Sequence, residues 1–470
     1  MKTFGDSWMS VKQLYTGVWW TPAEPARIVH GTLSLDPVSG PALEITGMEA
    51  MGQLVSAPGD ESIILGHSQG TEITLTRVSE PRTGTRTPSG GIVHQVGAAF
   101  VNAHWDKTDA VCFREIRVHF QDLESWSGYI PYERIVPENE SGAGFRTKPS
   151  ETSLLIRREG ITVSLESTSV HTANDDQTCI RRSCWVLFRS DGDLPFERYS
   201  PLIDYVQSFL GLCLGRAVYP ESAIGQSAAF SVSDSRSFAP ELHPVRTIAI
   251  HMDSFRPCGA NTAAGNRSSP PIPFEMVKEE IGIALGRWIS LKDRFRTPRM
   301  LFISTVCTPG AFVEQEFLTR TQSIESYHRA SDRYSGAIED PCRYARRVER
   351  AKWALKRPSA DIPKKVRQVF VESIERGNIP SFDERIEEIL KGHPAVAYLI
   401  ADSVSEFGRT VAENRRYLTG EEMSDDFSPA TPGELRDLTR RLGRLFYLCM
   451  LDELDFDDIT IGKILLDLDI

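Results

Sequence analysis

The chain lacks paired cysteines. Its eight cysteines, at positions 112, 179, 184, 213, 258, 307, 342 and 449, are scattered, and no two have C-x-x-C spacing. Neither a zinc site nor a disulfide framework is suggested, so reduced thiols in a cytoplasmic protein are expected. Long apolar runs are also missing. The opening MKTFGDSWMSVKQL has no apolar core of signal-peptide length, and the most apolar late stretch, Leu445 to Leu451, is short and flanked by Arg444 and Asp452. No membrane segment is expected. Positive charge is not in excess: 53 Lys and Arg stand against 64 Asp and Glu, a net charge of −11. Broad coating of nucleic acid is therefore disfavoured, and any RNA or DNA contact must come from a local basic patch. There is no internal repeat and no long low-complexity segment.

What is present divides into two regimes. The 470 residues, 40% hydrophobic and 25% charged, suffice for two or three globular domains. Residues 1–190 read mainly as strands: Arg27 to Leu35, Glu72 to Val78 and Ile161 to Val170 alternate, and turn-rich stretches such as Pro81 to Gly91 and Pro137 to Gly144 separate such runs. Strand after strand without helices argues for an antiparallel sandwich or barrel. Leu202 to Leu214 has helical spacing, and Ala228 to Val232 and Arg246 to His251 suit further strands. Residues 255–273, FRPCGANTAAGNRSSPPIP, have linker composition.

After the linker the period becomes helical. Candidate helices run Phe274 to Phe295, Ala311 to Tyr334, Arg343 to Arg357, Pro380 to Leu390, Pro394 to Leu418 and Glu434 to Leu451, with a last segment capped by Asp457 or Asp458. The expected architecture is α+β multidomain: an antiparallel β-rich domain over 1–254, a linker over 255–273 and an all-α helical bundle over 274–470.

Three features could carry chemistry. Gly66-His67-Ser68-Gln69-Gly70 fits the G-x-S-x-G nucleophile elbow of serine hydrolases, but the strict alternation of Thr71 to Val78 makes a strand follow where the elbow needs a helix. A hairpin is expected there, and Ser68 as a nucleophile is a remote alternative. Second, Val396, Ile400, Val404, Phe407 and Val411 form an apolar stripe whose next position is Arg415. A guanidinium at the edge of a core must pair with a carboxylate or hold an anion. Third, Arg343 to Arg367 concentrates Arg346, Arg347, Arg350 and Lys352 with further basic residues, and interleaves Tyr344 and Trp353. Such a run can track a phosphate backbone and stack bases, or it can be a solvated face balanced by the acidic stretch Phe382 to Glu388.

Several stretches together resemble the ApeA family. Tyr15-Thr16-Gly17-Val18-Trp19-Trp20-Thr21-Pro22, Gly31-Thr32-Leu33, the hairpin around Gly66 and Gly70, and Phe113…Asp122-Leu123-Glu124-Ser125-Trp126 are similar to its N-terminal domain. Arg287-Trp288 and Glu316-Phe317-Leu318…Gln322-Ser323-Ile324-Glu325-Ser326-Tyr327-His328-Arg329 are similar to the first helices of its HEPN domain, and Val411 to Gly420 corresponds to the active-site segment. The resemblance implies an RNA-directed effector of abortive anti-phage defence. It also implies metal-independent RNA cleavage without metal or cofactor, a homodimer through the HEPN domain, RNA (tRNA among the candidates) as substrate, and a phage-derived trigger read by the N-terminal domain. The family pattern Arg-Asn-x-x-x-His departs here to Arg415-Arg416-Tyr417-Leu418-Thr419-Gly420, and no histidine follows His393. An enzyme would then need Arg415 and Arg416 with His328 or Glu325 as substitute acid or base, and Tyr417 could stack on a base. A catalytically inactive RNA-binding or partner-binding regulator is the competing expectation.

If the basic run around Arg346, Arg347, Arg350, Lys352 and Trp353 binds RNA, affinity falls steeply with salt. Filter binding across a salt series checks this, and a flat response removes the basic run from the interface.

Overall fold

The computed structural model describes residues 11–46, 63–79, 91–135, 144–174, 177–230, 246–253, 270–307, 311–334, 336–357, 362–423 and 426–468. Most of the turn-rich stretches 81–91 and 137–144 and of the 255–273 linker lies outside the described residues. Two compact units divide the chain, Met1–Ile289 and Ser290–Ile470.

The first unit is built on strands β1 Gln13–Trp20, β2 Val29–Asp36, β3 Gly40–Thr46, β4 Ile63–Ser68, β5 Thr71–Val78, β6 Ile92–Val101, β7 Cys112–Phe120, β8 Tyr132–Ile135, β9 Gly144–Thr147, β10 Glu151–Arg158, β11 Ile161–Asn174, β12 Gln177–Pro195, β13 Pro220–Gln226 and β14 Ile248–Met252. Every pairing is antiparallel. β1, β2, β3, β6, β5 and β4 pair in turn and return to β1, which closes a barrel and leaves these strands no free edge. The long β6 pairs with β3 along its first half and with β14 along its second, so the sheet runs on through β13, β7, β12 and β11 to β10. Alternation supplies the barrel interior: Trp19, Leu33, Leu43, Ile45, Ile64, Ile73 and Leu75 are buried together.

The described part of the Ala228 to Val232 stretch is not a strand. Ala228–Phe230 forms a single 3-10 turn, and the rest lies outside the described residues. The G-x-S-x-G stretch is the expected hairpin: Ser68 pairs with Thr71 across a two-residue turn in which Gln69 (φ 47°) and Gly70 (φ 83°) are both left-handed. Ser68 is 4% exposed and its Oγ donates to the Thr16 carbonyl at 2.8 Å. The hydroxyl ties two strands together and stands on no exposed elbow.

Helices α1 Leu123–Ser127, α2 Phe196–Leu214, α3 Phe274–Val277 and α4 Ile281–Ser290 accompany the sheet. The sequence reading starts the helical domain at 274, but the compact boundary falls at 289. The reason is packing: Phe274 lies against Trp126, whose indole donates to the Ile272 carbonyl at 2.9 Å, and Trp288 donates to Ser208 at 2.9 Å. A change of period marks where secondary structure changes, and apolar contacts decide which core a helix joins.

The second unit contains α5 Arg296–Cys307, α6 Val313–Ala330, α7 Pro341–Leu355, α8 Lys364–Arg376, α9 Phe382–Gly392, α10 Val404–Leu418, α11 Pro432–Glu453 and α12 Asp458–Asp467. The stripe Leu435, Leu438, Leu442, Leu445 and Cys449 of α11 is buried throughout, facing α6 with its buried Phe317, Ile324 and Tyr327. Phe302 of α5 stacks on Phe446 at 4.0 Å between ring centroids. Buried Arg320 of α6 pairs with Glu316 on its own helix at 2.6 Å and donates to the Thr439 carbonyl at 2.9 Å, so its charge is compensated and α6 is tied to α11.

Gly66 has a packing role distinct from the turn role of Gly70. A methyl at Gly66 would lie 2.1 Å from the Trp19 ring, whereas nothing lies within 4 Å at Gly70. Gly66→Ala is expected to cost about 1–3 kcal/mol through overpacking. Gly70→Ala should cost about 1 kcal/mol, from left-handed strain alone. Urea denaturation of both variants checks the order.

Candidate functional site

The site starts with how α10 is held. The stripe that predicts one helix from Pro394 is continuous in burial but not in helix: Val396 and Ile400 are buried around a 3-10 turn, Ala397–Leu399. The α-helix begins after Ser403, whose Oγ accepts the Glu406 N–H at 3.4 Å. α10 then packs closely on α9. A methyl added at Gly408 would lie 3.1 Å from the Asp383 carbonyl oxygen, so a side chain there would push the helices apart.

That packing sets Arg415 over the Phe382 ring, with the guanidinium carbon 4.7 Å from the centroid. Such a contact is worth about 0.5–2 kcal/mol, depending on desolvation. Glu325 of α6 accepts from Arg415 Nη2 through Oε2 at 2.6 Å and from Arg329 Nη2 through Oε1 at 2.5 Å. Arg415 keeps 28% of its side chain exposed, and Arg329 keeps 62%. The apolar stripe thus ends in a guanidinium that is paired and still reachable by solvent.

His328, three residues along α6 from Glu325, is 1% exposed. Its Nδ1 lies 2.8 Å from Arg385 Nη1 and its Nε2 2.7 Å from Glu388 Oε2, both groups on α9. A guanidinium only donates, so Nδ1 must accept, and Nε2 carries the proton donated to Glu388. The imidazole is therefore neutral and fixed in one tautomer, with the Tyr334 ring stacked on it at 5.0 Å. Burial holds its pKa below the ordinary histidine value, the Arg385 charge adds to that, and Glu388 opposes it. To act on a ligand, His328 would have to leave both partners.

Gly420 has a positional explanation. It sits at φ 81° just past α10. The Glu421 N–H donates to the Arg416 carbonyl at 3.0 Å and the Gly420 N–H to the Tyr417 carbonyl at 3.1 Å. These are the two bonds of a Schellman cap, where glycine is the preferred residue. Arg416 is exposed and has no acidic partner among the described residues. Tyr417, 47% exposed, lies against Phe427 at 5.8 Å between centroids.

The basic run forms α7 and α8, which lie against each other. Arg346 and Arg350 are exposed and have no acidic partner among the described residues. Arg347 is exposed but pairs with Glu339 at 3.2 Å, and Lys352 is held between Glu349 at 2.9 Å and Glu375 at 2.8 Å. Trp353 is 62% exposed with the Arg357 guanidinium 3.8 Å above its ring. The acidic stretch of α9 makes other bonds: Glu384 caps Ser381, Glu387 pairs with Lys391 and Glu388 binds His328.

Arg415, Glu325 and the His328 clamp are therefore brought together by α6, α9 and α10, while the basic residues sit on separate helices. Sequence reasoning missed Phe382, Arg385 and Glu388. A signal existed, since Arg385 falls on the buried stripe with Ile386, Ile389 and Leu390. A charge on an apolar stripe is what singled out Arg415, and the same test applies to Arg385. A cleft of about 540 Å³ between α10 and α11 has Asp402, Glu406, Glu434 and Asp437 in its walls and does not include Arg415. Its acidic walls repel a polyanion.

The family model for ApeA N-terminal domain 1 matches residues 14–288, more than half of the chain. The chain belongs to the ApeA family. The model for the Apea-like HEPN domain matches residues 318–459, which contain α7 to α11 and nearly all the residues of the site. Arg287 and Trp288 fall within the N-terminal match and in the first compact unit, where Trp288 lies against Phe209, rather than at the start of the HEPN match. As an ApeA-family chain with this domain, the protein falls among the HEPN effectors of anti-phage defence. Comparisons with curated proteins and with solved structures returned no match. No helix among the described residues is long and apolar enough to cross a membrane.

The clamp on His328 can be tested directly. In Arg385→Met the Nδ1 acceptor is released and the neighbouring positive charge is gone, while Glu388 still favours the imidazolium. The His328 pKa is expected to rise from below the ordinary histidine range towards or above it. Imidazole resonances followed by NMR through a pH titration check this, and an unchanged pKa would show that Arg385 does not set it.

Proposed function

We propose that this ApeA-family protein is an RNA-directed effector whose HEPN site holds RNA phosphates through Arg415 and Arg416, with the basic face of α7 and α8 tracking the backbone. The observation that carries the reading is Arg415: it lies over the Phe382 ring and remains partly exposed at the end of a helix, beside exposed Arg416. A planar guanidinium offers a phosphodiester a two-pronged contact. Arg346, Arg350 and the Trp353–Arg357 stack supply charge and an aromatic surface suited to single-stranded RNA.

Binding is favoured over rapid cleavage because the family's histidine position is here a helix-capping glycine. Loss of a general acid or base costs about 10²- to 10⁴-fold in rate. A second reading, slow metal-independent RNA cleavage, rests on one observation: Glu325, a group able to move a proton, lies on Arg415, with His328 three residues further along the same helix. We further propose that the HEPN unit works as a homodimer and that the N-terminal unit reads a phage-derived trigger.

Labelled tRNA and total RNA, incubated without metal, separate the readings. Arg415→Ala is expected to weaken RNA binding at least tenfold. Gly420→His, which has open space but a left-handed backbone, should cost about 1–2 kcal/mol of stability and introduce or raise cleavage. Cleavage by the native chain that Arg415→Ala abolishes would establish the nuclease reading. No binding by the native chain would overturn both.

A further inference from the structure

We propose that the Glu325 carboxylate occupies a phosphate site, with Arg329 and Arg415 as its two ligands. RNA enters only by displacing this internal stand-in. The inference rests on the reading that Arg415 holds phosphate, and it adds Arg329 as a second ligand and Glu325 as the group that keeps the site closed.

The argument begins with the fork. Each carboxylate oxygen takes one guanidinium: Oε1 accepts from Arg329 at 2.5 Å and Oε2 from Arg415 at 2.6 Å. A phosphodiester presents the same pattern, with one negative charge shared by two unesterified oxygens. Both guanidiniums reach solvent, so the exchange needs no opening of the core. Phe382 holds the Arg415 guanidinium by a contact that does not involve Glu325, so this support remains when the carboxylate is lost.

Charge favours the exchange. Arg329, Arg385 and Arg415 face Glu325 and Glu388 across α6, α9 and α10, with His328 neutral between Arg385 and Glu388. Three cations and two anions leave the cluster with one net positive charge while Glu325 is in place. Swinging Glu325 out leaves both guanidiniums without a counter-ion, since neither has another carboxylate partner among the described residues. The comparable fork in the N-terminal unit lacks this property. There Glu115 bridges Arg117 and Arg189, but Arg117 also pairs with Glu166 at 3.2 Å. Removal of that bridge would leave Arg117 compensated.

The test uses the full chain, with inorganic phosphate and a short single-stranded oligoribonucleotide as separate probes at matched ionic strength. Glu325→Gln keeps the side chain's size and removes its charge. Phosphate affinity, measured by calorimetric titration, is expected to rise at least tenfold over the native chain. It should return to the native level in Glu325→Gln/Arg415→Ala and fall in Glu325→Gln/Arg329→Ala. Glu325→Asp keeps the charge but is too short to span both guanidiniums, and it should show a smaller gain. It also serves as the second variant should Glu325→Gln fail to fold. Equal phosphate affinity in the native chain and the folded variants would overturn the inference and leave RNA binding by the native chain unaffected. A phosphate gain without any oligonucleotide binding would uphold the phosphate site and overturn the RNA reading instead.

Discussion

A guanidinium at the rim of an apolar core cannot be left alone, and the bridge from Glu325 to Arg415 is how this protein meets that constraint. The contact joins α6 to α10, while Phe382 brings α9 against the same guanidinium. The close approach of α9 and α10 at Gly408, the clamp on His328 and the helix cap at Gly420 surround this one pairing. One residue along α10 from Arg415, Arg416 meets solvent with no acidic partner among the described residues. The site therefore presents one guarded and one open positive charge at a helix end.

The two candidate proton carriers are in different states. Glu325 is engaged by two guanidiniums and is partly accessible. His328 is buried, neutral and fixed at both nitrogens. A histidine used for proton transfer needs an accessible nitrogen and a pKa near neutrality, and burial beside Arg385 works against both. Arg385 and Glu388 thus tie His328 of α6 to α9. The neighbouring charges of Arg329 and Arg415 remain the exposed chemistry of the cluster.

Much of the helical unit was legible from periodicity. The α11 stripe Leu435, Leu438, Leu442, Leu445 and Cys449 is buried as its spacing requires. Of the two capping candidates for the last helix, Asp457 takes the role by accepting the Thr460 N–H at 2.7 Å. The hairpin at Gly66 to Gly70 was legible because alternation after Gly70 excludes a helix. Misreadings came where two local rules compete. The stripe through Val396 and Ile400 is apolar at helical spacing, yet Ser403 caps a helix that starts later. The segment from Phe274 is helical, yet its aromatic contacts lie with Trp126 and α2.

Residue order alone determined the succession from sheet to helices, the arginine at the end of an apolar stripe and the glycine where the family carries a histidine. Those features depend on spacing of a few residues, which sequence records directly. Tertiary structure decided what those residues do. Glu325 and Arg415 are ninety positions apart, and His328 and Arg385 fifty-seven, so no local pattern pairs them. Whether a buried histidine is a free base or a neutral strut depends on which donors surround its ring, and only the packing of α6 against α9 settles that.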